Sequence, residues 1–224
     1  MTGYQIAKNM ISVFILVLIA ASILIGIRYA KTKKKKQLIT SIVLLFLMFC
    51  MYPVYFMISV KQYSTFELVN LRQFSVSSED LQKGVWNDVI ANTDRGENLS
   101  PQLSWDKIQE ADAYVIYMID PDGNNWLHMK SGSVVETSIS RGQIRSITGQ
   151  TTDDPSYIGP YPPAGTHHYE IYVFALRQKK DGYYGTVNVP SEGIEKIGSM
   201  IDVYENGDVG NVIAYGKISG TYTK

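Results

Sequence analysis

No acidic residue occurs before Glu67, although the chain carries 21 of them. Seven of its 21 basic residues precede Lys61, so a formal net charge of zero divides into +7 ahead of Lys61 and −7 from there on. A chain split in this way has two regions that meet different surroundings. Cysteine is almost missing too: Cys50 stands alone, which excludes an internal disulfide. The roughly 160 residues after Lys61 are long enough to fold on apolar burial alone. Clustered positive charge is absent from that region, where lysines are scattered through a −7 background, and this argues against a nucleic-acid backbone as partner. Internal repeats and low-complexity tracts are lacking as well, apart from one lysine run.

Long uncharged runs are present. Residues 10–27 and 38–60 carry no charge, and a hydrocarbon core of about 30 Å needs roughly 20 helical residues. Both runs are expected to span a membrane, giving an anchor over residues 1–62. A cleaved signal peptide is the alternative for the first run. It is longer than a typical signal core, however, and lysines rather than a small-x-small site follow it. Pro53 is expected to kink the second span, and Tyr52, Tyr55 and Tyr63 suit an interfacial belt. Between the spans, residues 28–37 hold Arg28, Lys31 and Lys33 to Lys36. Short basic loops stay in the cytoplasm, so the domain over residues 63–224 is expected outside, at the cell membrane.

That domain reads as mainly β. Phe66, Leu68, Val69, Leu71 and Phe74 suggest a first strand, and Val115–Ile119, Ile171–Leu176 and Val212–Ile218 are β-branched or aromatic runs bounded by turn formers. Helical signals are few: a short turn over Asp80–Lys83, and a short helix over Ser191–Met200 capped by Ser191.

Histidine is scarce, and each of the three stands beside an unusual loop. His128 follows Trp126-Leu127 and the turn Asp120-Pro121-Asp122-Gly123, which itself follows an apolar run. His167 and His168 follow the stretch from Gly159 to Thr166, with Pro160, Pro162, Pro163 and Gly165 in it. Proline fixes φ and restricts its predecessor, so Asp-Pro-Asp holds two carboxylates on a stiff backbone. Taken alone, such a turn is a solvated Asx turn; the company it keeps makes it a candidate site.

Asn98-Leu99-Ser100-Pro101-Gln102-Leu103-Ser104-Trp105, Asp120-Pro121-Asp122, Trp126-Leu127-His128, Tyr157-Ile158-Gly159-Pro160 through Tyr169, and Ile218-Ser219-Gly220-Thr221-Tyr222 run in the order of a known family. The chain resembles the phosphatidylethanolamine-binding protein family, in particular its bacterial Raf-kinase-inhibitor-like branch. The resemblance implies a large antiparallel β-fold with a few short helices and a small surface pocket for phosphate or a phospholipid head group. By motif position the pocket would use Asp120, Asp122, His128, Gly159, Pro162, Pro163, His167 and Tyr169, with His168 a secondary candidate. The sequence departs from the family where Gly123-Asn124-Asn125 follows the acidic turn, where Met129-Lys130-Ser131 follows His128, and in carrying two spans ahead of the domain.

The residue types suit that task. Imidazolium, loop N–H groups and a tyrosine hydroxyl can hold an anion, while carboxylates orient histidine or receive an ammonium. No nucleophile stands out and no cofactor is implied, so the expectation is a non-enzymatic ligand-binding or regulatory module. One alternative is inhibition of an extracellular protease or envelope protein. Another is a metal-dependent hydrolase using Asp120, Asp122, His128 and His167, although an HExxH spacing is absent.

Overall fold

The computed structural model describes the backbone of residues 3–61, 66–148 and 156–224, and the side chains of 10–55, 66–147 and 156–224. Tyr63 lies outside the described residues. The chain divides into two units, one built on the N-terminal helices and one on Phe66–Glu205 and Val209–Lys224.

The first unit is a helical hairpin, α1 (Gly3–Thr32) and α2 (Lys35–Lys61). Both helices run past their uncharged stretches, because lysine and arginine are good helix formers and every added residue closes another backbone hydrogen bond. The basic connection therefore shrinks to Lys33-Lys34, with Lys33 at φ 56°. Pro53 lies inside α2 without ending it. Small polar residues join the helices: the Ser22 and Ser41 hydroxyls lie 3.0 Å apart, and Ser41 Oγ donates to the Ser22 carbonyl at 3.1 Å. The apolar side chains Phe14, Leu16, Leu24, Phe46 and Phe49 point outward. By length and composition both helices are able to cross a membrane.

In the second unit a 3₁₀ turn (Leu68–Asn70) precedes β1 (Arg72–Phe74) and β2 (Val76–Ser77). The strand expected from Phe66 thus starts only at Arg72. The turn expected over Asp80–Lys83 is instead a β-hairpin, β3 (Leu81–Gln82) to β4 (Val85–Trp86). Lys83 and Gly84, at φ 50° and 81°, make the two-residue connection, and this left-handed pair matches the twist of the strands. After a second 3₁₀ turn (Asp88–Ile90) come β5 (Leu103–Trp105), β6 (Ala113–Asp120), β7 (Trp126–Lys130), β8 (Ser138–Ile139) and α3 (Ile144–Thr148). The chain closes with β9 (Thr166–Leu176), α4 (Ile194–Ile201) and β10 (Val212–Thr223).

The main sheet has the order β3-β4-β10-β9-β6-β7, and β1 also pairs with β10. It is mixed, which corrects the antiparallel expectation. β10 pairs antiparallel with β9 along its length, while its other edge takes β1 and then β4 in parallel. A twelve-residue strand leaves room on one edge for two short partners that return from the β2 and β3 excursions. The second sheet, β2-β5-β8, has three strands and supplies Leu103, Trp105 and Ile139 to one face of the main sheet. The opposite face is covered by Leu68, Val187 and the α4 residues Ile197 and Ile201. With both faces covered, β6 is buried at every position, so its sequence reads as a continuous apolar run rather than an alternation.

Ser191 does not cap α4. Gly193, at φ 88°, holds the cap position, and Ser191 Oγ accepts the Gly193 N–H while donating to the Asn125 carbonyl at 2.7 Å. Ser191 thereby ties the α4 approach to the Asp-Pro-Asp turn.

Candidate ligand-binding pocket

The antiparallel register brings the end of β6 beside the start of β9, with Ile119 opposite Glu170, and β10 lays Tyr222 opposite His167. The acidic turn and the histidine pair therefore share one end of the sheet. Alternation along β9 sends His167 and Tyr169 to the face of Ile171, and His168 to the other.

Both carboxylates of the turn are engaged. Asp120, 3% exposed, accepts the Gly123 N–H at 2.8 Å on Oδ1 and meets His167 Nδ1 at 2.7 Å on Oδ2. Asp122 accepts the His168 N–H at 2.7 Å and meets that residue's Nδ1 at 2.8 Å. The His168 backbone N–H, then its ring, hold the Asp122 carboxyl below the usual range.

His128 is placed by a bulge. Met118 pairs with Met129 and Ile119 with Leu127, leaving His128 as the extra residue. Its neighbours consequently point into opposite cores, Leu127 into one and Met129 into the other. Its Nδ1 lies 2.8 Å from the Ile158 carbonyl, which only accepts, so Nδ1 carries the proton. Burial pushes the His128 pKa down against the pull of that carbonyl. A neutral His128 offers Nε2 as an acceptor. The two rings are therefore held differently, His128 through Nδ1 to a backbone carbonyl and His167 through Nδ1 to the Asp120 carboxylate.

These groups surround a cavity of about 500 Å³. Of the residues expected to form it, Asp120, Asp122, His128, Gly159, Pro163 and His167 line it. Pro162 is buried behind the wall and outside the lining. Tyr169 is fully buried and lies edge-on to His128 with ring centroids 5.2 Å apart. Its hydroxyl has no hydrogen-bond partner among the described residues, and burial, then the Asp120 charge, raise its pKa. His168 stays outside the lining, exposed on the opposite face.

Asn92, Gly123, Trp126, Ile158, Tyr161 and Asn188 complete the wall. Four of these lie in or beside the motifs already singled out. Asn92 and Asn188 come from separate loops, and only the turn-forming character of Asn188, at φ 70°, marks it in the sequence. The Gly159 N–H, expected to be offered to an anion, is already used: it donates to Asn98 Oδ1 at 2.7 Å. Among the described residues, no group of three or more His, Cys, Asp or Glu side chains is placed to hold a metal ion.

A family model described as Phosphatidylethanolamine-binding protein matches residues 77–223. A curated relative from Methanothermobacter thermautotrophicus, described only as a UPF0098 protein, is 30% identical over 142 residues, covering 58% of this chain and 85% of the relative. Among solved structures, an Escherichia coli protein described as a new member of the mammalian PEBP family shares the fold at TM-score 0.50. It is 22% identical, over 67% of this chain and 98% of its own. A Chlamydia trachomatis homologue of phosphatidylethanolamine-binding protein is also 22% identical, with TM-score 0.49, over 68% and 99% of the two chains.

Proposed function

The chain belongs to the phosphatidylethanolamine-binding protein family, and from that premise we propose that it is a non-enzymatic, membrane-attached binding or regulatory protein whose pocket takes phosphate or a phospholipid head group. One observation carries the reading. Two imidazoles on the cavity wall are each locked through Nδ1, His128 to a carbonyl and His167 to a carboxylate. Each is left with Nε2 for a ligand. Phosphate presents both acceptor oxygens and, when monoprotonated, a donor hydroxyl, so it satisfies both rings at once. An ethanolamine ammonium would find Asp122 on the same wall. Within the family, we place the chain in the bacterial Raf-kinase-inhibitor-like branch on the order of its motifs.

Calorimetric titration of the full chain in detergent with inorganic phosphate and with phosphoethanolamine tests the pocket. Saturable binding is expected, with His167→Ala raising Kd at least about tenfold through loss of a hydrogen bond to the ligand. Heat of binding from neither compound would remove the proposal.

We also infer that the hairpin spans the membrane with its lysines in the cytoplasm and the pocket domain outside. In support, α1 and α2 expose large apolar side chains around their circumference, a surface water does not tolerate, and their connection is basic. Alkaline phosphatase fused after Lys224 is expected to be active in cells, and a fusion after Lys34 inactive. The reverse pattern would invert the topology, and release of the protein by alkaline carbonate would exclude the span.

A further inference from the structure

An anion pocket needs positive charge, and this one has little. Two carboxylates, Asp120 and Asp122, line the cavity, and no lysine or arginine does so among the described residues. His128 is held toward its neutral form, and His168 is turned to Asp122 on the other face. His167 remains, with Asp120 behind it.

The end of β10 brings a further cation. Beyond the Thr223–Thr166 pair, the Lys224 N–H donates to the Gly165 carbonyl at 3.1 Å, which lays the chain along the proline-rich wall. Arg95 fixes this segment by donating to the Thr223 carbonyl at 2.7 Å, and its guanidinium lies over the Tyr222 ring. Lys224 itself places its ammonium 4.0 Å from the centroid of the Tyr161 ring. Tyr161 is 52% exposed and lines the cavity, so its ring bridges Lys224 and the pocket. Among the described residues no Asp or Glu side chain is paired with the Lys224 ammonium. Arg95, by contrast, is committed to Thr223, Tyr222 and Asp88.

We propose that Lys224, held over Tyr161 at the rim, sets the charge selectivity of the pocket by favouring ligands of greater net negative charge. Free phosphate gains more from it than phosphoethanolamine, whose own ammonium offsets one charge. This rests on the binding function proposed above. A rim cation acts through solvent, so its contribution is modest and salt-dependent.

The test is titration of the full chain in detergent with phosphate and phosphoethanolamine at low and high salt, for the wild type, Lys224→Gln and Lys224→Arg. Lys224→Gln removes the charge and leaves a neutral polar side chain at the rim. It is expected to weaken phosphate about fivefold at low salt, to weaken phosphoethanolamine less, and to flatten the salt dependence of phosphate binding. Lys224→Arg is expected to restore the wild-type values. All three proteins should melt at the same temperature, which separates charge from folding. Wild-type binding of phosphate with unchanged affinity and salt dependence in Lys224→Gln would overturn the role of Lys224 alone. Absence of binding in the wild type would overturn the pocket assignment and this selectivity together.

Discussion

Arg141→Ala is expected to lower the stability of the pocket domain by about 3 kcal/mol, which for a domain of this size is a fall in Tm of roughly 6–10 °C. Asp80 has 0% exposure, and Arg141 grips it with Nε at 3.0 Å and Nη2 at 2.6 Å from Oδ1. The Gln102 N–H supplies one further bond, to Oδ2 at 2.8 Å. Removing the guanidinium strands a buried carboxylate with a single backbone donor. Arg141 is 40% exposed, so water enters behind it and holds the loss to the lower part of the range for broken buried pairs. Arg141→Lys should recover only part, because an ammonium cannot reproduce the paired contact. Thermal melts of the three proteins decide this, and an Arg141→Ala melt within 2 °C of wild type would show the pair to be dispensable, about the shift of a neutral surface change.

The long central strands were legible because their chemistry is dictated by burial. Val115–Ile119, Ile171–Leu176 and Val212–Ile218 are apolar runs that nothing but a covered sheet would hide, and they became the cores of β6, β9 and β10. The two-residue strands were not legible. Leu81–Gln82 and Val85–Trp86 are too short to show a period, and their parallel or antiparallel sense depends on which edge of β10 is free. The candidate site was legible as a set of neighbours but not as a set of roles. Period-two alternation is enough to separate His167 from His168, yet only the bulge at His128 decides which way that ring faces. The duty of Asn98 is invisible in the sequence because it joins residues 61 positions apart. It stands at φ 54°, donates its N–H to the Ala91 carbonyl and accepts the Gly159 N–H on its side chain.

That link explains why the wall of the pocket should tolerate no side chain at Gly159. A Cβ there would meet the Ile90 carbonyl oxygen at 2.0 Å and the Asn92 nitrogen at 3.0 Å, both backbone atoms that cannot swing aside. The same Ile90 carbonyl accepts the buried Tyr157 hydroxyl at 2.7 Å, and Asn92 N–H donates to Pro160. Gly159→Ala therefore forces the 157–160 strip away from the 90–92 strip and strains three hydrogen bonds at once, including that of Asn98. The expected loss is about 3 kcal/mol, from overpacking together with the hydrogen bonds put under strain. Because Ile158 holds His128 Nδ1, the displacement also frees that ring, and phosphate affinity should fall at least about tenfold. Gly182→Ala is the control: no atom lies within 4 Å of its added Cβ, and stability should stay within about 0.5 kcal/mol. Urea unfolding and phosphate titration of both variants read the two effects. A Gly159→Ala protein with wild-type stability and affinity would mean that the wall yields, and that the position of His128 does not depend on it.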